Sequence, residues 1–388
     1  MTLPAGLQAA VAARYERYLD DLASLVGIDC GSYTPAGVNR VADAVGEAMA
    51  ELGASVERVA HRPGEGERQL GDLVIGRLPG SGPRLLLIGH MDTVFEPGTV
   101  GERPFRIDGE RATGPGVSDM KGGLLAGLHA LAALQSLGRR PSVTFVANPD
   151  EEIGSPFSTP HIRRLAAEHD AALVLECARA NGDIVSARKG IADFEVTITG
   201  RAAHAGVEPE KGRSAIVEAA RQVLALHALN GRWPTVTVNA GLIEGGTRPN
   251  VVAASCRLEL DLRAASTDEF ERAAAEVREI VTRPSLDGVS SDLRQAAFHP
   301  PMERSAGNGR LAELTIAIAA ELGLELRDTL TGGASDANTT TAAGLPTLDG
   351  LGPVGGDDHS ADEWLDLASV VPRTTLLAAL IDRAAEAI

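Results

Sequence analysis

Residues 84–94 read RLLLIGHMDTV. Leu85 to Ile88 form an unbroken apolar run, the pattern of a strand buried on both faces. The run ends on His90 and Asp92, so polar chemistry begins where the strand stops. Downstream, residues 121–137 (KGGLLAGLHALAALQSL) predict a helix closed by Gly138. SVTFVAN (142–148) predicts the next strand, 158–169 a helix, and AALVLEC (171–177) a further strand. Upstream, residues 7–26 and 38–52 carry helical apolar spacing. Strands separated by helices predict an α/β fold, with a mostly parallel sheet flanked by helices.

The pattern changes near residue 190. ADFEVTITGRAAH alternates like a half-buried antiparallel strand, and a helix is expected over 212–229. Two strands (TVTVNAGLIEG, then VVAASCRLELDLRAA) and a helix around 267–282 follow. This order reads as an α+β sandwich inserted at 190–301, which leaves 1–189 and 302–388 to the large domain. Helices at 308–322 and 370–387 return to the style of the first half.

Composition excludes several classes. The 388 residues carry a formal net charge of −17. That opposes binding to nucleic acid or to an anionic membrane surface, since both need a basic footprint. The aromatic content of 3% leaves the core to aliphatic residues. Cys30, Cys177 and Cys256 are odd in number and widely spaced, which points to a reducing compartment. The N-terminal helix carries charges throughout, unlike a secretion signal, and no apolar run reaches the ~18 residues of a membrane span. The expectation is a cytoplasmic protein. No GxGxxG follows the first strand, so a nicotinamide-binding reading has no support.

Polar clusters gather where strands end, and open α/β sheets bind ligands outside the carboxyl ends of their strands. His90 and Asp92 follow one strand; Asp119 lies in GPGVSDMKGG before a helix; Asp150, Glu151 and Glu152 follow another strand; Glu176 ends the 171–176 run. His359 lies in the glycine-rich GPVGGDDHS. Neighbouring acids repel one another unless a cation lies between them. Histidine with carboxylate is the donor mixture that suits zinc. Gly332 and Gly333 in TGGASDA read as a backbone loop open to close approach at a pocket. Asp336 in the same motif reads as structural. Lys121 supports its loop, because GPGVSDMKGG lacks phosphate-loop spacing.

The segments GHMDTV, GPGVSDMKGG, NPDEEIGS, VLEC, GRAAHAG, NVVAA, TGGASDA and DDHSADEW occur in this order. Together they resemble the di-zinc exopeptidase family of glutamate carboxypeptidases, aminoacylases, acetylornithine deacetylases and succinyl-diaminopimelate desuccinylases. The likeness spans the whole chain and is greatest to the bacterial folate-cleaving glutamate carboxypeptidases. It implies two zinc ions per subunit, replaceable by cobalt or manganese. The implied ligands are His90, Asp119, Glu152, Glu176 and His359, with Asp119 bridging. Which outer ligand serves which ion stays open at this level. Asp92 would fix the His90 tautomer, and Glu151 would act as general base toward a metal-bridging water.

The resemblance also implies that His204 reaches across a homodimer interface, formed by the inserted domain, to steady the developing oxyanion. Asn250 and Arg263 would hold a substrate carboxylate; a strand-end ion pair is the alternative for Arg263. The substrate would be a small N-acyl amino acid or short peptide. Two activities stay open: release of a C-terminal glutamate or similar residue, and deacylation of an N-acyl amino acid. An intact Glu151 and all five ligands oppose a non-catalytic binding protein. Cys177 departs from the proline common after the Glu176 position, which places the specificity of the following segment in question.

Overall fold

The computed structural model describes residues 3–388. Two compact units form: one holds the chain up to Ser186 with Arg304–Thr329 and Ser335–Ile388, the other Ala187–Glu303 with Leu330–Ala334.

The first unit is built on a six-stranded sheet in the order Ser55–Val59, Leu73–Leu78, Pro141–Asn148, Ser81–His90, Ala171–Val174, Thr347–Leu348. Ser81–His90 pairs in parallel with both neighbours, and Thr347–Leu348 joins Ala171–Val174 in parallel. Leu73–Leu78 runs antiparallel to both of its neighbours. The sheet is thus mostly parallel. Its register aligns His90 with Asn148 and Ile88 with both Val146 and Val174. The polar residues that follow three strands therefore leave the sheet at one edge.

Leu85, Leu86, Leu87 and Ile88 are at most 1% exposed. Helix Gly123–Ser136 packs beside them, and its buried residues run unbroken from Gly123 to Leu134, as an apolar helix demands. Two of its glycines permit the approach. A Cβ at Gly123 would lie 1.8 Å from the Leu175 carbonyl oxygen, and one at Gly127 would lie 2.6 Å from Leu175 Cδ1. The helix is thereby pressed onto the segment that carries Glu176.

The expected helix over 7–26 is broken into Leu7–Ala12 and Tyr15–Val26. Strands Ser55–Val59 and Ser290–His299 gave no sequence signal because both lie at sheet edges and expose most of their residues.

The second unit is a four-stranded antiparallel sheet in the order Thr237–Gly245, Ser255–Ala264, Gly190–Thr199, Ser290–His299. Ala192, Phe194, Val196 and Ile198 face a core shared with helices Ala215–His227 and Thr267–Thr282. Intervening residues point outward, the period-2 pattern that the sequence displays. Ser214 and Ser266 cap the two helices by accepting from Val217 N and Glu269 N. Leu330–Ala334 belongs here and not to the large domain. Its backbone accepts from Lys189 N (3.0 Å), Arg263 Nη1 (2.9 Å) and Arg188 Nη1 (3.0 Å). Among the described residues, no helix is long and apolar enough to cross a membrane.

Candidate metal centre and active site

The cluster is assembled by four local devices in the first unit. His90 ends its strand, 1% exposed. Its Nδ1 meets the Asp92 carbonyl oxygen at 3.0 Å, and the Asp92 carboxylate lies farther off at 3.4 Å. The expected role of Asp92 is therefore shared between its backbone and its side chain. The carboxylate also serves the next strand end. Its Oδ1 accepts from Glu151 N and its Oδ2 from Glu152 N, both at 3.1 Å, while Ser32 Oγ donates at 2.7 Å. Asp92 thus positions the two following acids as much as the imidazole.

Glu151 and Glu152 open a short 3-10 turn after strand Pro141–Asn148. Gly154 closes it at φ 88°, a left-handed conformation that favours glycine. Beneath the turn lies a buried polar network. Asn148 Nδ2 and Ser155 Oγ donate to Asp336 at 2.6 and 2.7 Å, and Phe157 N donates to Asp150 at 2.6 Å. Asp336 is structural, as expected.

Asp119 rides on the turn Val117–Gly122, and its peptide bond to Met120 is cis. The turn is held by Glu363, a residue that sequence reasoning missed. Its carboxylate, 1% exposed, accepts from Gly116 N, Ser118 N and Asp119 N at 2.9, 2.8 and 3.0 Å. Glu363 belongs to the hairpin formed by Gly355–Gly356 and Trp364–Asp366. That hairpin also carries His359, at φ 62°. Trp364 Nε1 donates to Asp357 at 3.0 Å, and Arg103 Nη1 to the Ser360 carbonyl at 2.8 Å, so the loop is pinned at both ends. A Cβ on Gly355 would fall 2.0 Å from Ser118 Oγ, which explains glycine where hairpin meets turn.

The side chains converge. Asp119 Oδ1 lies 3.0 Å from His90 Nε2, and Oδ2 lies 3.1 Å from His359 Nε2. Glu176 Oε1 is 3.8 Å from His90 Nε2, and Glu152 Oε2 is 3.1 Å from His359 Nε2. Each imidazole therefore faces one oxygen of Asp119 and one glutamate at 3.8 Å or less, with Glu152 also within 4.8 Å of His90. This groups His90 with Glu176 and His359 with Glu152, a division the sequence left open. Glu151 joins His90 and Glu176 in a group whose ligand atoms lie within 4.8 Å of one another.

Electrostatics follow from crowding acids in a buried place. Burial pushes Glu151 well above the usual carboxylate range and Glu152 to about 7, the latter despite a hydrogen bond from His359. Burial also works against Asp119, but hydrogen bonds from His359 and His90 overcome it and hold that carboxyl below its ordinary range. His90 is raised well above its ordinary value, because Asp119 and Asp92 outweigh burial. Asp119 and Glu152 raise His359 to about 11. The acids thus hold both imidazoles protonated, and a divalent cation would do the same neutralising work. Two ligands bound tetrahedrally to zinc at 2.0–2.1 Å are roughly 3.3 Å apart. The observed separations of 3.0 to 3.8 Å bracket that value. The donor set fits divalent cations, which His90, Asp119, Glu152, Glu176 and His359 would hold.

Cys177 is buried beside this cluster, within 3.5 Å of Asp358 and 3.3 Å of Arg179 Nη2. Burial raises its thiol well above the ordinary value, so it stays protonated and passive. Lys121 Nζ donates to the Pro115 and Ile28 carbonyls at 3.0 and 3.3 Å, the supporting role expected of it.

The remaining expected residues belong to the second unit. His204 is exposed and bridges in backbone to Val251, while Ala205 N donates to the Asn250 carbonyl at 3.0 Å. His204 and Asn250 are thereby neighbours. Gly206 N donates to His204 Nδ1 at 3.2 Å, so a neutral imidazole carries its hydrogen on Nε2, as an outward donor. Arg263 is already engaged. Its guanidinium forms a bidentate pair with Asp261 (2.9–3.0 Å) and donates to the Gly332 carbonyl at 2.9 Å. The ion-pair alternative is the arrangement present. Neither Gly332 nor Gly333 has a positive φ, and a Cβ at Gly332 would meet nothing within 4 Å. The fold therefore does not itself require glycine there.

A mostly parallel sheet with this cluster at its carboxyl edge defines a metal-dependent hydrolase. Residues 86–383 match peptidase family M20/M25/M40, and the chain belongs to that family. It is 32% identical over 369 residues to carboxypeptidase G2 of Pseudomonas sp. (strain RS-16), covering 93% of this chain and 87% of that protein. It is 27% identical over 381 residues to a succinyl-diaminopimelate desuccinylase of Methylobacterium radiotolerans, covering 92% and 94%. An M20 family metallo-carboxypeptidase from Sulfolobus solfataricus shares the fold at a TM-score of 0.75 and 16% identity, over 94% of this chain and 98% of that one. The chain is thus an enzyme, a metal-dependent hydrolase of the exopeptidase and amidohydrolase type.

Proposed function

We propose that the enzyme releases a C-terminal glutamate or similar amino acid from an acyl or peptidyl group. The observation that carries this reading is the division of Asp119, one oxygen to each imidazole. His90 with Glu176 and His359 with Glu152 would complete two cation sites. Zinc suits these donors, and cobalt or manganese can replace it. Bound cations supply an acidified water and a polarised scissile carbonyl. Glu151 has a protein-set place beside them. Asp92 fixes its backbone N–H, and burial makes its carboxylate a willing proton acceptor. It takes a proton from the attacking water and delivers it to the leaving nitrogen. Asn250 and His204, held next to each other, would meet the substrate carboxylate and the developing negative charge. Arg263 can join them only by sharing its guanidinium with Asp261, and the Gly332–Gly333 turn would lie along the substrate.

The likeness to the desuccinylase favours a second reading, an N-acyl amino-acid deacylase using the same groups. A homodimer through the second unit is supported by its edge strand Thr237–Gly245, which exposes Leu242 and Ile243, and by Ile216, Val217 and Leu224 on helix Ala215–His227. A cytoplasmic location is supported by three buried, unpaired cysteines.

The test is Glu151→Gln. Two cations per chain should remain bound while glutamate release from an aroyl-glutamate falls about 10²–10⁴-fold, the range of general acid–base catalysis. Retained turnover in a cation-loaded variant would remove Glu151 as the base.

A further inference from the structure

A groove of about 270 Å³ opens beside Glu152, lined among others by Tyr33, Arg68, Val94, Glu96 and Ile153. Its walls are tied to the cation cluster. Gly31 bridges Thr93, Thr93 N donates to the Cys30 carbonyl at 3.0 Å, and Ser32 Oγ donates to Asp92. A Cβ on Gly31 would fall 2.4 Å from the Phe95 carbonyl oxygen, so the two loops touch backbone to backbone.

Arg68 comes from a third loop, closed where Gln69 Nε2 donates to the His61 carbonyl and Leu70 N to His61 Nδ1. The His61 ring meets Phe157 edge-on at 4.8 Å, and Phe157 N donates to Asp150, next to Glu151 and Glu152. The guanidinium of Arg68 lies 3.7 Å from the centroid of the exposed Tyr33 ring. Stacking occupies its face and leaves its in-plane N–H edge directed elsewhere. Among the described residues it has no ion-pair partner; Glu96 lines the same groove without pairing to it. In a chain of net charge −17, this exposed guanidinium, over the Tyr33 ring in a groove that Glu152 also lines, is free to take an anion. Arg263, by contrast, is already claimed by Asp261.

We infer that Arg68 is a specificity-determining residue that grips a second carboxylate of the substrate, beyond the one next to the scissile amide. This rests on the amide-hydrolase reading above and narrows its substrates to dicarboxylic ones. That carboxylate has two possible sources, the side chain of the released amino acid or the far end of the acyl group.

Two pairs of substrates distinguish the sources: N-benzoyl-glutamate against N-benzoyl-glutamine, and N-succinyl-leucine against N-butyryl-leucine. The zinc-loaded enzyme should prefer the dicarboxylate of one pair in kcat/KM. Arg68→Gln should shrink that preference at least about tenfold, through KM and not kcat, and Arg68→Lys should restore part of it. A collapse in the first pair assigns the side chain; a collapse in the second assigns the acyl group. A preference that Arg68→Gln leaves intact, or none in the wild type, overturns the inference. The same pairs titrated calorimetrically into the full-length Glu151→Gln chain read affinity without turnover. Arg68-dependent discrimination there, with no hydrolysis of any of the four by the wild type, would sink the proposed reaction and leave Arg68 standing.

Discussion

Asn in place of Asp92 changes one oxygen into an amino group and nothing else in size. The aspartate accepts from Glu151 N through Oδ1 and from both Glu152 N and Ser32 Oγ through Oδ2. An asparagine can keep its oxygen on only one of the two backbone N–H groups. Whichever way the amide turns, its NH2 faces the other N–H, donor against donor. Ser32 can rotate to accept, so its loss is small. What remains is one hydrogen bond to a charged acceptor, about 1.5–3 kcal/mol, plus the penalty of a buried unpaired donor. The two overlap, because the unpaired donor's desolvation is part of what the lost bond costs, and together they come to about 2–4 kcal/mol. This cost falls on the turn that places both the proposed base and a proposed cation ligand. At 1.36 kcal/mol per decade, kcat/KM should drop roughly 30- to 1000-fold. The assay is release of glutamate from an aroyl-glutamate, with bound metal counted on the same preparation. Ser32→Ala should cost far less, since the two backbone bonds survive. Activity of Asp92→Asn within about threefold of wild type would refute the claim that this carboxylate positions Glu151 and Glu152.

Uptake of divalent cation should expel at least about two protons per chain near pH 7, because His90 and His359 are held protonated by the acids around them and Glu152, raised to about 7, is partly protonated there; calorimetry in two buffers of different ionisation enthalpy reads this, and no proton release would contradict it. For the metal-free chain the sign is fixed by the raised value of His359, about 11. Its stabilisation is complete below the unfolded value near 6.5 and is lost as pH rises toward 11, so the metal-free Tm should fall between pH 6.5 and 9 and not rise. Arg373, 4% exposed, donates to the Gly352, Gly182 and Gly350 carbonyls at 3.0, 3.0 and 2.6 Å. Arg373→Met should lower stability by about 3–5 kcal/mol, seen as a Tm drop of roughly 10 °C, and a shift under about 2 °C would show those carbonyls to be satisfied otherwise. Ile243→Lys on the exposed edge strand should yield a monomer in sedimentation if that strand forms the dimer, and an unchanged dimer would place the interface elsewhere.

Much of the cluster is legible in the residue order alone. His90, Asp119, Glu151, Glu152 and Glu176 each follow or precede an apolar run, and parallel strands must leave the sheet at a common edge. The period-2 strands of the second unit are readable for the same reason: burial on one face writes itself into the residue pattern. Edge strands such as Ser55–Val59 have no buried face, so no pattern marks them.

The sequence by itself determined which residue types could bind cations and that a separate α+β unit interrupts the large domain, because burial and donor chemistry are properties of local residues. Only the tertiary structure decided who partners whom. Glu363 reaches Gly116 across 247 positions, His359 reaches Asp119 across 240, and Arg263 spends itself on Asp261 while Arg68 has no ion-pair partner among the described residues. Hydrogen bonds and ion pairs act over a few ångströms, and folding alone sets which distant segments come that close.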